Sequence, residues 1–183
     1  MLTLLYSKFI EIGGALMTSL LKGRYFGTVV LILLVNVYLS IGTYLQWFRL
    51  GFFVGPFRFA HWLAWTGVLF VAVFTPLYYV LKRRYAKRVK ALLGIHVLGN
   101  LLSFTFVSIH FASQVGRPPE SFPDLGAGIV LYIVMMVMVL TGIFQRFQIA
   151  KNLGRQWRFL HTSVAISFYL VIFVHILQGL QIL

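Results

Sequence analysis

Five stretches of this chain, residues 25–48, 59–81, 91–115, 125–145 and 159–183, contain no lysine, arginine, aspartate or glutamate. A hydrocarbon core of ~30 Å needs about 20 apolar residues in a helix, so each stretch is long enough to cross a bilayer. Backbone groups in lipid must find their hydrogen bonds within the segment, and the two-residue alternation of barrel strands is absent, so the stretches are expected to be helices. With 60% hydrophobic and 10% charged residues, the chain is read as an all-α integral membrane protein with five transmembrane helices, its transmembrane domain covering residues 25–183.

Charge sets the expected orientation. Of the 16 lysines and arginines, all but Arg49, Arg58 and Arg117 fall on the side of the N-terminus when the five helices alternate. By the positive-inside rule the N-terminus is cytoplasmic and the C-terminus lies outside, which makes this a multi-pass protein of the cytoplasmic membrane. The net charge of +13 then belongs to topology and to contact with the lipid bilayer, and nucleic acid is not an expected partner. Absence of cysteine excludes disulfides, thiolate metal sites and cysteine-ligated iron-sulfur clusters on this chain. In residues 1–24, Thr3, Ser7, Glu11, Gly14, Thr18 and Lys22 recur at steps of three and four. Such a stripe suits an amphipathic helix in the cytoplasmic interface; a helix packed on a partner subunit is nearly as well supported.

Histidines supply the functional motif. HVLGNLLSFTFVSIH, residues 96–110, and HTSVAISFYLVIFVH, residues 161–175, each place two histidines fourteen residues apart. Fourteen steps of about 100° bring both members of a pair to nearly one helix face, about 21 Å apart along the axis. The third and fifth helices run parallel, so His96 is expected level with His161 near the cytoplasmic side, and His110 level with His175 nearer the outside. Facing imidazoles can serve a proton relay, a metal ion or the axial positions of a haem iron. No cysteine, aspartate or glutamate lies in either span to complete a zinc site, and a proton path usually needs carboxylates or graded polar groups. Haem iron asks the protein only for axial ligands. The four histidines are therefore read as ligands of two haem b groups, in the pairs His96/His161 and His110/His175, inside a four-helix bundle spanning residues 57–183. Gly99, Asn100 and Ser103 on the third helix are read as clearance beside the macrocycles; the same face passes Val107, and the equivalent face of the fifth helix passes Val164, Ala165, Phe168, Ile172 and Gly179.

These paired histidines on parallel helices resemble the two-haem core of the cytochrome b of respiratory quinol:cytochrome c complexes. They also resemble ferric-reductase-type transmembrane cytochromes, to which RQWRFLH, residues 155–161, is similar in its Arg/Trp-rich approach to a ligand helix. The resemblance covers residues 57–183 and implies haem ligation and electron transfer. The chain departs from the first group in lacking its long C-terminal part and quinol-site motif, and from the second in having no flavin and nicotinamide domain. Donor and acceptor would thus be other molecules.

Haem propionates seek cationic partners. Arg58 and Arg117, against the charge trend, are candidates for the outer haem, and Arg155 and Arg158 for the inner one, although topology alone accounts for the inner pair. His61, at the depth of His110 and His175, is a candidate contact to quinone or a propionate; a plain interfacial residue is the simplest of its roles. Glu120 and Asp124 are the acids on the outer side, and Trp47, Trp62, Trp65 and Trp157 read as interface anchors. The expected function is an electron-transfer subunit of a membrane oxidoreductase complex, carrying electrons between a quinone/quinol pool or membrane redox partner and a partner protein. The alternatives are a ferric-reductase-like conduit fed by a separate cytoplasmic flavoprotein, and a non-haem anchor or transporter subunit.

Overall fold

The computed structural model describes residues 2–122, 125–149, 151–180 and 182, with side chains from residue 23 onward. Its helices are α1 (Leu2–Tyr44), α2 (Phe59–Arg84), α3 (Val89–Val115), α4 (Gly126–Phe147) and α5 (Gly154–Gly179), with a two-stranded hairpin, β1 (Phe53–Val54) and β2 (Phe57–Arg58), between the first two. Among the described residues, five helical segments are long and apolar enough to cross a membrane. Leucines on outward faces, such as Leu31, Leu34, Leu69 and Leu170, are exposed, as lipid-facing side chains would be. The first helix continues without a break through residues 22–25; where the polar stripe of residues 1–22 points lies outside the described side chains.

Helices α2 to α5 share one core, made by Val71 of α2, Phe104 and Val107 of α3, Leu131, Met135 and Met138 of α4, and Phe168 and Ile172 of α5. Neighbours in sequence pair, α2 with α3 and α4 with α5, while α3 also contacts α4 and carries α1 on its other side. Phe168 is seven residues from both His161 and His175 and is 1% exposed. The best-packed layer of the bundle therefore lies between the two histidine levels.

Close approach of α2 and α3 is made by small residues, because without a hydrophobic drive in lipid, helices gain by packing backbones together. A Cβ on Gly67 would stand 2.9 Å from the Ser103 carbonyl oxygen, and the Phe70 ring covers Gly99. Gly99 and Ser103, expected as clearance beside a cofactor, are instead the seam against α2. Across the bundle the Tyr169 hydroxyl donates to the Val71 carbonyl at 3.1 Å, beside the turn that Pro76 interrupts. Tyr169→Phe is expected to lower stability by about 0.6–1 kcal/mol, measurable by unfolding in mixed micelles, with no change in the absorbance of a bound cofactor.

Two ends of the bundle differ. The α2–α3 and α4–α5 connections carry Lys82, Arg83, Arg84, Lys87, Arg88 and Lys151 and form a basic end. At the hairpin end, Gly55 takes a φ of 61° in the two-residue turn that pairs Val54 with Phe57, a conformation glycine adopts freely.

Candidate functional site

Each histidine level joins a residue of α3 to one of α5. At the basic end His96 and His161 stand within electrostatic reach of each other; at the hairpin end His110 stands within reach of His175 and His61. The rings on α3 rest against α2, and those on α5 rest against α4.

Hydrogen bonds fix the α5 side. His161 Nδ1 lies 3.0 Å from the Met138 carbonyl and 3.1 Å from Thr141 Oγ1. That hydroxyl also approaches the Val137 and Met138 carbonyls, at 2.8 and 3.0 Å. A carbonyl only accepts, so Nδ1 carries the proton and Nε2 keeps its lone pair, the tautomer that a metal-ligating histidine uses. Below the ring lies Gly142, where a Cβ would stand 3.2 Å from His161 Cε1, and under His175 lies Gly128, where a Cβ would stand 3.3 Å from Cε1. These glycines are fourteen residues apart, the same interval as the histidines they face on the antiparallel helix.

On α3, His96 stacks on Tyr78 of α2, with ring centroids 4.6 Å apart and planes at 14°. Asn100 Nδ2 is 3.2 Å from His96 Nδ1, while Asn100 Oδ1 is buried without a partner. The amide O and N are nearly equivalent in shape, and exchanging them lets His96 Nδ1–H donate to Oδ1. His96 then has the tautomer of His161.

A cavity of about 380 Å³ opens at the hairpin level, lined by His61, His110, Gln114, Trp65, Gly128 and His175 among apolar side chains. Gln114 Nε2 is buried with no hydrogen-bond partner, whereas the His110 and His61 rings lie near the Ala60 and Arg58 backbone carbonyls without closing a well-aligned bond from Nδ1. His61 meets His110 edge to face at 4.8 Å and lines the same cavity. No protein-family model, curated protein or solved structure matches this chain. The site therefore stands on its own geometry.

Other expected residues disperse. Ile172 and Gly179 line the cavity, whereas Val164 and Ala165 pack on the core. Arg155 and Arg158 are exposed on the first turns of α5. The cations within reach of the basic-end site are Lys82, near His96, and Arg146, near Tyr78. Glu120 is exposed, and Asp124 lies outside the described residues. Arg58 and Arg117 do come together, lining a separate cleft of about 420 Å³ beside the cavity. Burial and then the Arg58 charge push the Arg117 guanidinium below its ordinary value. Among the described residues, no group of three or more His, Asp or Glu side chains converges on a metal-ion position.

Sequence reasoning missed Tyr78, Gln114, Gly128, Thr141 and Gly142. Gln114, four residues after His110, and the fourteen-residue glycine interval were visible in the sequence.

Proposed function

We propose that the chain is a transmembrane electron conduit that binds two haem b groups, through His96 with His161 and through His110 with His175. The observation that carries this reading is the matched pair of levels. Two imidazoles from parallel helices recur about 21 Å apart, each α5 ring backed by a glycine of α4. Haem iron, when bound, supplies a one-electron couple.

The chain's own residues do the rest. The Met138 carbonyl and Thr141 hold His161 in one tautomer and orientation, which raises the basicity of Nε2 toward a metal. Phe168, Met135 and Phe104 fill the layer between the levels and exclude water from it. His61 and Gln114, which line the hairpin-level cavity, are the groups to meet a propionate or a quinone there. The basic end is cytoplasmic and the hairpin end outside, by the same charge asymmetry that orients other membrane helices. Electrons would pass between a quinone/quinol pool or membrane redox partner and a partner protein on the other side.

A reduced-minus-oxidised absorption spectrum of the purified protein is expected to show a b-type α-band, and pyridine extraction to give two haems per chain. A folded chain grown with ample haem that shows neither is instead a non-haem membrane subunit. The uncompensated basic end also suits an acidic cytoplasmic flavoprotein as donor. Oxidation of the reduced haems by a quinone analogue favours the quinone-linked reading; reduction by a flavoprotein without quinone response favours the other.

A further inference from the structure

Arg58, which opens α2, and Arg117, just beyond α3, are two of the three basic residues at the hairpin end. The fold brings them together, 59 residues apart in sequence, on one cleft whose other polar lining is Thr43, Gln46, Ser113 and Ser121. One wall is set by Gly116. Its carbonyl accepts the Gln46 side-chain amide at 2.9 Å, and a Cβ there would stand 2.8 Å from the Tyr44 carbonyl oxygen. The Arg117 Nε is buried without a hydrogen-bond partner. Glu120, at the Pro119–Ser121 turn, is exposed, and neither arginine makes an ion pair among the described residues. Both arginines are partly buried and within electrostatic reach of each other, the Arg58 guanidinium also lying 5.6 Å from the Phe53 ring centroid, and their forked donors match carboxylate and phosphate oxygens.

We propose that this cleft binds an oxyanion, a carboxylate or phosphate group held between Arg58 and Arg117, with the cleft's hydroxyls and Gln46 as neutral donors. None of the four paired histidines lines the cleft, so the proposal stands whether or not the chain carries haem. The oxyanion has three sources of one chemistry: a phospholipid headgroup in that leaflet, free phosphate, or a propionate reaching past His61 from the adjoining cavity. Only the last rests on the haem reading.

Thermal unfolding of the full chain in maltoside micelles, with and without inorganic phosphate, and in phosphatidylglycerol nanodiscs, tests this alongside the haem-to-protein ratio. Phosphate at about ten times its dissociation constant is expected to raise Tm by about 2–4 °C. The rise should vanish in the Arg58→Gln/Arg117→Gln variant and survive in part in Arg58→Lys/Arg117→Lys, which keeps the charge and loses the fork. A rise with phosphate identifies a free oxyanion, and a rise confined to phosphatidylglycerol identifies the headgroup. A loss of haem from the helical, folded Gln pair, with no response to either additive, identifies the propionate. The proposal is overturned if native protein and Gln pair agree in all three measurements. It is equally overturned if the anion effect appears only after Asp124→Asn, because the chain's own carboxylate then fills the cleft.

Discussion

If the chain binds two haems as proposed, His161→Leu is expected to leave one b-type haem per chain, with one of the two steps of a redox titration removed. Leucine is close enough to histidine in size to keep the helix packed, but it has no lone pair for iron. The loss should be confined to the basic end for a structural reason. His110 and His175 lie about 21 Å away along the bundle, beyond the packed layer of Phe104, Met135 and Phe168. Pyridine extraction should therefore report half the native haem, while far-ultraviolet circular dichroism stays native. His175→Leu is expected to remove the other haem and leave His96 with His161. Two haems in a folded His161→Leu protein would mean that the histidines are paired wrongly. A folded variant with none would mean that the levels are not separate sites.

The fold was legible where lipid imposes a single rule. Charge-free stretches longer than a bilayer is thick have to be helices, and the ends found lie within a few residues of those expected for α2, α3 and α4. The first helix stops earlier, at Tyr44, because the amides of Trp47 and Phe48 turn back to the Gly42 carbonyl and the Phe48 ring settles on Gly42. That α3 and α5 each carry two histidines fourteen residues apart was legible from the sequence. Which way α3 turns those histidines was not, because that rotation is set by Gly67 and Phe70 on α2, and no period within α3 contains them. Gly99 and Ser103 were misread for that reason: small residues suit a cofactor and a neighbouring helix equally.

The glycines of α4 give the sharpest test of how the rings are held. Gly142→Val is expected to weaken retention of the basic-end haem roughly tenfold to a hundredfold and to spare the other. A Cβ at this position begins 3.2 Å from His161 Cε1 and 3.6 Å from Nδ1, and the branched methyls of valine add bulk on that side. The imidazole must then swing off the Met138 carbonyl and Thr141, losing the tautomer and direction that ligation needs. Overpacking of this kind costs about 1–3 kcal/mol, and each 1.4 kcal/mol is about tenfold in affinity. Gly128→Val should do the same to the hairpin-level haem through His175, since the corresponding distance there is 3.3 Å. Gly94→Val is the control, because on α3 nothing lies within 4 Å of the added Cβ. Replacing glycine in a helix ordinarily raises helix propensity, so a loss seen at 142 and 128 and absent at 94 has to come from the rings. Unchanged haem content and α-band in Gly142→Val would show that α4 does not position His161, and the fourteen-residue match between glycines and histidines would then be coincidence.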